Sequence, residues 1–387
     1  MKVSQIYEIM NTITKELLGD EPIVLEDLSN IVDIGKAIID TNNLDNYVRK
    51  LVDHIGKVVV VDRVYRGRAP SVLMDGWEYG SILEKISIQI PEAEANESWE
   101  LVDGSSYDPN IFRGPKVSAK FFDSRITFEI PMSFAQRQVK SAFSNAVQLN
   151  AFISGIYNAI QKSMTVKTDA LIARTINNFI GETLWDAYQG TDFTGVGNAR
   201  AVNLLAMYNA KVQPPAVAIT AEQAITDPDF IRFAAMTMGN YVDRLKVLSG
   251  LFNIDGNDRF TDPELLHIVM LSEFKNAANA YLQSDTFHDE YTALPNAELV
   301  PYWQGPGESY EFSATSAIHI KTASNNEVQA SGILAVMFDR DALGVTNIDP
   351  RVTSQWNAKA EFFNEWHKWD AGYFNDTGEN FVVFFVA

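Results

Sequence analysis

The chain has 387 residues, 46% hydrophobic and 11% aromatic, with 31 Lys and Arg against 50 Asp and Glu for a formal charge of −19. This length exceeds what one hydrophobic core usually serves and predicts two or more domains. The absence of cysteine excludes disulfides, thiolate catalysis and cysteine-ligated metals, and the acidity argues against a general nucleic-acid-binding surface, which needs Lys and Arg to displace phosphate counterions.

At the amino terminus, Lys2, Glu8, Lys15 and Glu16 interrupt any apolar stretch, and no run approaches the ~18 apolar residues of a membrane span. Neither a signal peptide nor a membrane helix is expected, and the protein reads as soluble and not exported. Val3, Ile6, Tyr7, Met10, Ile13 and Leu17 recur at helical spacing before Gly19. The same period returns at Leu28, Ile31, Val32 and Ile38, and again at Leu44, Tyr47, Val48, Leu51 and Ile55, so three short helices are predicted in residues 1–57. Val58 to Val61 then reads as a buried strand, because β-branched residues suit strands and no helical stripe is present.

After a turn-rich stretch from Gly67 to Gly80, two apolar-rich runs, Ile82 to Ile90 and Lys116 to Ile130, flank an acidic tip and predict a long hairpin over 82–131. Its first leg alternates Ile86, Ile88 and Ile90 against Lys85, Ser87 and Gln89. Its second places Phe122, Ile126, Phe128 and Ile130 on one face and Asp123, Arg125, Thr127 and Glu129 on the other. Such a two-stranded ribbon is marginal alone in water, so its stabilising surface is expected on another molecule.

Ser133 to Gln136 has the spacing of a capping box and predicts a helix from about Phe134 to Ser163. Thr165 to Ile180 reads as its continuation, with Gly181 as the stop and a domain boundary following. Asp227 and Pro228 predict the N-cap and first residue of a helix running to Gly250. Leu265 to Leu271 reads as a strand before a helix at Ser272, with further strands at Ala317 to Lys321 and Ile333 to Phe338. The apolar run from Phe381 to Val386 must lie inside a sheet, since exposed it would invite aggregation.

Catalytic signatures are missing. No phosphate-binding glycine loop or nucleophile elbow occurs, and the Gly195–Gly197 and Gly305–Gly307 pairs read as turns. The five histidines, His54, His267, His288, His319 and His367, form no pair at metal-ligand spacing. His288 beside Asp289 and Glu290 reads as surface or interface. Asn253, Asp255, Asn257 and Glu264 fall on calcium-loop positions, but Gly256 sits two places early for the required turn, so a polar loop is expected. The aromatic set Trp356, Phe362, Phe363, Trp366, Trp369, Tyr373 and Phe374 reads as core and subunit interface. No catalytic residue, cofactor or metal is expected.

The order of elements, with the strings RAPSVLMDGWEY (Arg68 to Tyr79), SDTFHDEY (Ser284 to Tyr291), VPYWQG (Val300 to Gly305) and FDRDALGVT (Phe338 to Thr346), resembles the major capsid proteins of tailed bacteriophages. The resemblance implies an α+β, Hong Kong 97-like capsid fold: a helical N-terminal arm (1–57), a peripheral-domain strand and extended loop (58–132), a spine-helix region (133–180), an axial domain (181–345) and peripheral C-terminal strands (346–387). It implies a non-enzymatic virion protein, assembled in the bacterial host cytoplasm into hexamers and pentamers of an icosahedral shell. Implied partners are a portal protein, a separate scaffolding protein, a possible decoration protein and enclosed double-stranded DNA held without sequence-specific contacts, with no membrane. The acidity reads first as a provision for solubility, and a shell that encloses DNA without gripping it would tolerate the same balance.

Two rivals stand beside it: an encapsulin-like nanocompartment of the same fold, and an acidic two-domain α/β enzyme or binding protein. The expected intersubunit residues lie at the hairpin tip. Glu92, Glu94, Glu97, Glu100, Asp103 and Asp108 would face basic groups of a neighbour, with Trp99, Ile111 and Phe112 as apolar anchors.

Overall fold

The computed structural model describes residues 72–74, 83–88, 114–135, 146–211, 217–283, 295–305, 309–360 and 362–387, with the single positions 91, 93, 103, 110 and 307. The three predicted N-terminal helices, the Val58–Val61 strand and the His288 cluster lie outside the described residues. In chain order the elements begin with β1 (Leu73–Met74), β2 (Leu83–Ile88), β3 (Val117–Phe122), β4 (Arg125–Ala135) and the long helix α1 (Ala146–Tyr188). There follow β5 (Ala201–Asn203), α2 (Leu204–Asn209), α3 (Ala221–Ala224), α4 (Pro228–Leu245), β6 (Leu266–Leu271), α5 (Ser272–Gln283) and β7 (Glu298–Val300). The chain closes with α6 (Phe312–Thr315), β8 (Ile318–Lys321), β9 (Glu327–Ala330), β10 (Ile333–Asp339), β11 (Leu343–Asn357), β12 (Phe362–Asn375) and β13 (Phe381–Phe385). Among the described residues no helix is long and apolar enough to cross a membrane.

Two compact units form, one from Met1–Glu78, Arg125–Ala173 and Val345–Gly372, the other from Tyr79–Ser124, Arg174–Gly344 and Tyr373–Ala387. The first contains a four-stranded sheet in the order β1-β11-β12-β4. The long register from Phe362↔Ala135 to Gly372↔Arg125 pairs β12 with β4. Along β12, Glu365, His367, Trp369 and Ala371 are buried, and Trp369 packs on Phe128 with ring centroids 5.2 Å apart. The opposite face is polar: Arg351 grips Asp370 at 3.0 and 3.3 Å, and Thr127 donates to the same carboxylate at 2.6 Å.

This sheet corrects one expectation. Ser133 does not cap a helix; it lies on β4 and donates to Asn364 across the ladder at 2.7 Å. The alternation of the predicted return leg continues straight through Pro131, which β4 tolerates as the edge strand among the described residues. Among the described residues the helix begins at Ala146 instead.

His367 is buried, with Glu365 Oε2 3.9 Å away, and burial pushes its imidazole below the ordinary histidine range. Burial lowers His267 on β6 likewise, with Glu298 and Asp339 opposing and Arg340 reinforcing the shift. A histidine lowered on folding is held neutral, so its contribution is present above about pH 6.5 and lost as pH falls below that value. Melting curves should therefore show stability declining between pH 7.5 and 5.5, and His367→Gln should flatten part of that slope.

The second unit is built on a five-stranded sheet ordered β5-β13-β10-β6-β7, and every residue of β10 and β13 is buried. On one face Phe179 of α1 stacks on Phe381 at 4.0 Å and Tyr188 meets Phe385 edge-on. On the other, Tyr241 of α4 meets Phe384 at 5.1 Å. Helices on both faces explain why the terminal run is apolar without alternation. The run lies inside a sheet as expected, but in the five-stranded sheet and not in the sheet that holds β11 and β12.

Helix α1 has 43 residues, about 65 Å at 1.5 Å per residue. It passes through Gly181 without stopping. It lies close to β8: an added Cβ would meet the Ile320 side chain, which would have to shift. Asp227 caps α4 as its position predicts, accepting from Phe230 N at 2.7 Å, and the helix ends at Leu245, short of Gly250. Of the two glycine pairs, Gly197, Gly305 and Gly307 all take positive φ, the backbone of turns.

Trp303, within one of the strings that carry the family resemblance, is core, donating its indole N–H to Ile333 O at 2.8 Å while its own carbonyl accepts from Asn177. Gly332 precedes β10 at φ +79°, and a Cβ there would strike the Val386 carbonyl. Gly332→Ala should cost more than the ~1–2 kcal/mol of the left-handed backbone alone, measured as a lower denaturation midpoint.

Candidate functional site

The predicted hairpin is present as a ladder from Leu83↔Phe122 to Ile88↔Val117. Its return leg is two strands, not one. After β3 the chain breaks at Asp123 and Ser124 and changes partner, β4 joining β12. At the break Ser124 O accepts from Tyr373 N at 3.1 Å, and Phe122 packs against Phe374 with centroids 5.1 Å apart.

The ribbon's faces are arranged opposite to the usual amphipathic strand. Ile86, Ile88, Val117 and Phe121 are 62%, 61%, 56% and 64% exposed. The polar face turns inward. Lys85 Nζ donates to Asp376 Oδ2 and Glu379 Oε1, both at 2.8 Å, and to Asp341 O at 3.2 Å. Lys120 Nζ donates to Asp376 Oδ1 and Asp255 Oδ2, both at 2.6 Å. Farther out Ser87 and Ser118 pair across the ribbon at 2.7 Å.

Asp376 is the centre of this clamp, its side chain 4% exposed and each oxygen taken by one lysine. Lys85 and Lys120 are directly opposed in the ladder, a like-charged pair that would destabilise the ribbon without a shared counterion. The Gly378 amide adds a third donor at 3.0 Å, and the absence of a side chain there leaves room for Lys120, Asp255 and Asn257. Arg259 Nε lies 3.3 Å from Glu379 Oε1, an ion pair without hydrogen-bond geometry.

Burial pushes the Asp376 carboxyl up, but hydrogen bonds from Lys120 and Lys85, the Lys85 charge and the Gly378 amide outweigh it and hold the group below the ordinary carboxylate range. For Lys120, burial lowers the pKa, and the hydrogen bonds and charges of Asp255 and Asp376 overcome that and raise it. Both shifts favour the charged forms of Asp376 and Lys120 in the folded clamp.

The loop weighed as a calcium site supplies part of the clamp. Asn253 and Asn257 bind each other, side chain to backbone, at 2.6 and 2.8 Å, and the Ile254 and Asp255 amides donate to Thr377 O. Asp255 is committed to Lys120. Among the described residues no three acids or histidines gather as a metal site.

Of the residues expected at the tip, Asp103 lies in an exposed turn. Glu92, Glu94, Glu97, Trp99, Glu100, Asp108, Ile111 and Phe112 lie outside the described residues. The clamp residues were not anticipated. Their one signal in the sequence is a lysine at the centre of each apolar ribbon strand, which matters only once the register sets the two lysines opposite each other.

Comparison with known proteins supplies the frame. The family model for the Phi29-like phage major capsid protein matches residues 10–385. The major capsid protein of Bacillus phage GA-1 is 23% identical over 187 residues, 47% of this chain and 38% of that protein, so the match spans less than half of the relative's length. A chain in the structure of head fiber and inner core protein gp22 of native bacteriophage P68 superposes with a TM-score of 0.51 at 9% identity, over 85% of this chain and 86% of that one. The capsid structure of Staphylococcus phage Andhra gives 0.47 at 11% identity, over the same shares. At 9% identity the P68 likeness is one of fold.

Proposed function

This chain belongs to the Phi29-like phage major capsid protein family, and from that premise we propose that its copies associate into hexamers and pentamers and close an icosahedral shell around double-stranded DNA. The observation that carries this reading is the ribbon's outer face: Ile86, Ile88, Val117 and Phe121 stand more than half exposed on an element that two strands alone barely stabilise. In the proposed assembly a neighbouring subunit covers that face, and the acidic tip from Glu92 to Asp108 reaches basic groups beyond it.

In this reading the hairpin is the extended loop and α1 the spine helix. The four-stranded sheet is peripheral and the five-stranded sheet axial, which moves β13 out of the peripheral strands expected over 346–387. Closed symmetry multiplies a modest contact over many copies, so the shell is stable although each contact alone is weak. Assembly takes place in the host cytoplasm with a separate scaffolding protein and a portal, and the subunit has no catalytic role.

Light scattering and electron microscopy of the purified full-length chain, alone and with its scaffolding protein, test the reading. Closed particles are expected, and a protein that stays a monomer or small oligomer under both conditions refutes it. Deleting Pro91 to Gly114 should leave soluble subunits that form no stable shells; particles of normal stability from that variant would remove the hairpin from the interface.

A further inference from the structure

We infer that Asp376 is a positioning residue for assembly: by holding Lys85 and Lys120 on its two oxygens it seats the ribbon on its own subunit before any neighbour arrives, with the apolar face already turned outward. The consequence for assembly rests on the shell reading; the seating itself does not.

Three observations converge. Among the described residues the ribbon's aromatic contact with the body is at its root, where Phe122 meets Phe374. Beyond the root the inward face is Lys85, Ser87, Ser118 and Lys120, so its hold on the body there is ionic and passes through the two lysines. Those lysines are register partners, so their common carboxylate also keeps the two strands together.

Among the described residues Asp255, Glu379 and Arg259 join them, giving a set of three cations and three carboxylates. A surface ordered in advance loses less conformational freedom on binding, so the clamp acts by lowering the cost of docking without touching the neighbour.

The test uses the unassembled full-length chain, with hydrogen–deuterium exchange read separately over residues 83–88 and 117–122 and over β13. In Lys85→Met/Lys120→Met, ribbon amides should exchange about tenfold faster or more and stay far faster than those of β13, which open only with the whole subunit. Lys85→Arg/Lys120→Arg, which restores the charges, should recover most of the protection. Should the double methionine variant fail to fold, Lys85→Met alone carries the same comparison. Ribbon protection that is unchanged in the methionine variant, or unrecovered in the arginine variant, overturns the inference.

In parallel, the concentration at which light scattering detects particles should rise several-fold in the methionine variant and return in the arginine variant. Failure of the wild-type chain to form particles would count against the shell reading alone, because exchange in free subunits still decides the clamp.

Discussion

Replacing Ile86, Ile88 and Val117 by threonine and Phe121 by serine is expected to leave a folded subunit that no longer forms shells. All four side chains are more than half exposed, so their loss removes little from the free subunit, within about 0.5 kcal/mol per site. Threonine keeps the β-branch that suits a strand. In the assembly each lost apolar side chain forfeits roughly 1–2 kcal/mol of burial, and the loss recurs at every copy of the contact. Denaturant melts should superpose on wild type while particles disappear from electron micrographs. Particles of normal stability would show that the outer face is not buried on assembly.

The second large effect has the opposite signature. Asp376→Ala should destabilise the subunit itself by about 3 kcal/mol, the lower end of the range for breaking a buried pair, because Lys85 and Lys120 remain 22% and 36% exposed and recover some hydration. Its pH dependence identifies the cause. The Asp376 pKa is lowered on folding, so its contribution is present above about pH 4 and lost as pH falls through the folded value. The Lys120 pKa is raised, so its contribution is present below about pH 10.4 and lost above it. The stability difference between wild type and Asp376→Ala should be flat between those limits and shrink beyond each. A difference that does not change at either extreme would mean that Asp376 acts through packing and not through charge.

The Ser133–Gln136 capping box and the β4 alternation illustrate how local and longer-range signals compete. Four residues matched a helix start, but the period of two running from Arg125 through Ser133 belonged to the longer pattern and prevailed, because β12 offers a full ladder to pair with. Gly181 shows the same limit. As a helix stop it is a reasonable local reading, yet α1 runs through it, and the side chain close to it is Ile320, 139 positions away in the chain. In contrast, the Asp227–Pro228 start, the β6–α5 succession and the buried terminal strand were readable, since each depends on its own residues and their neighbours.

At the candidate site the division is sharper. That a ribbon exists, that it alternates, and that it lacks a local core all follow from residues 82–131 by themselves. Which face turns inward does not. Alternation assigns Ile86 and Lys85 to opposite faces but cannot say which meets the body, and the ordinary expectation that isoleucine is buried fails here. The outcome depends on a buried carboxylate at Asp376, 291 positions from Lys85 and 256 from Lys120, brought by the turn before β13 to within 2.8 Å of the first and 2.6 Å of the second. Composition and periodicity by themselves determined the ribbon's alternation, the Asp227–Pro228 helix start and the buried terminal strand, because these are governed by the nearest few residues. Only the tertiary structure decided the register, the clamp and the outward apolar face, because an ion pair forms wherever the fold brings the charges together, whatever their separation in sequence.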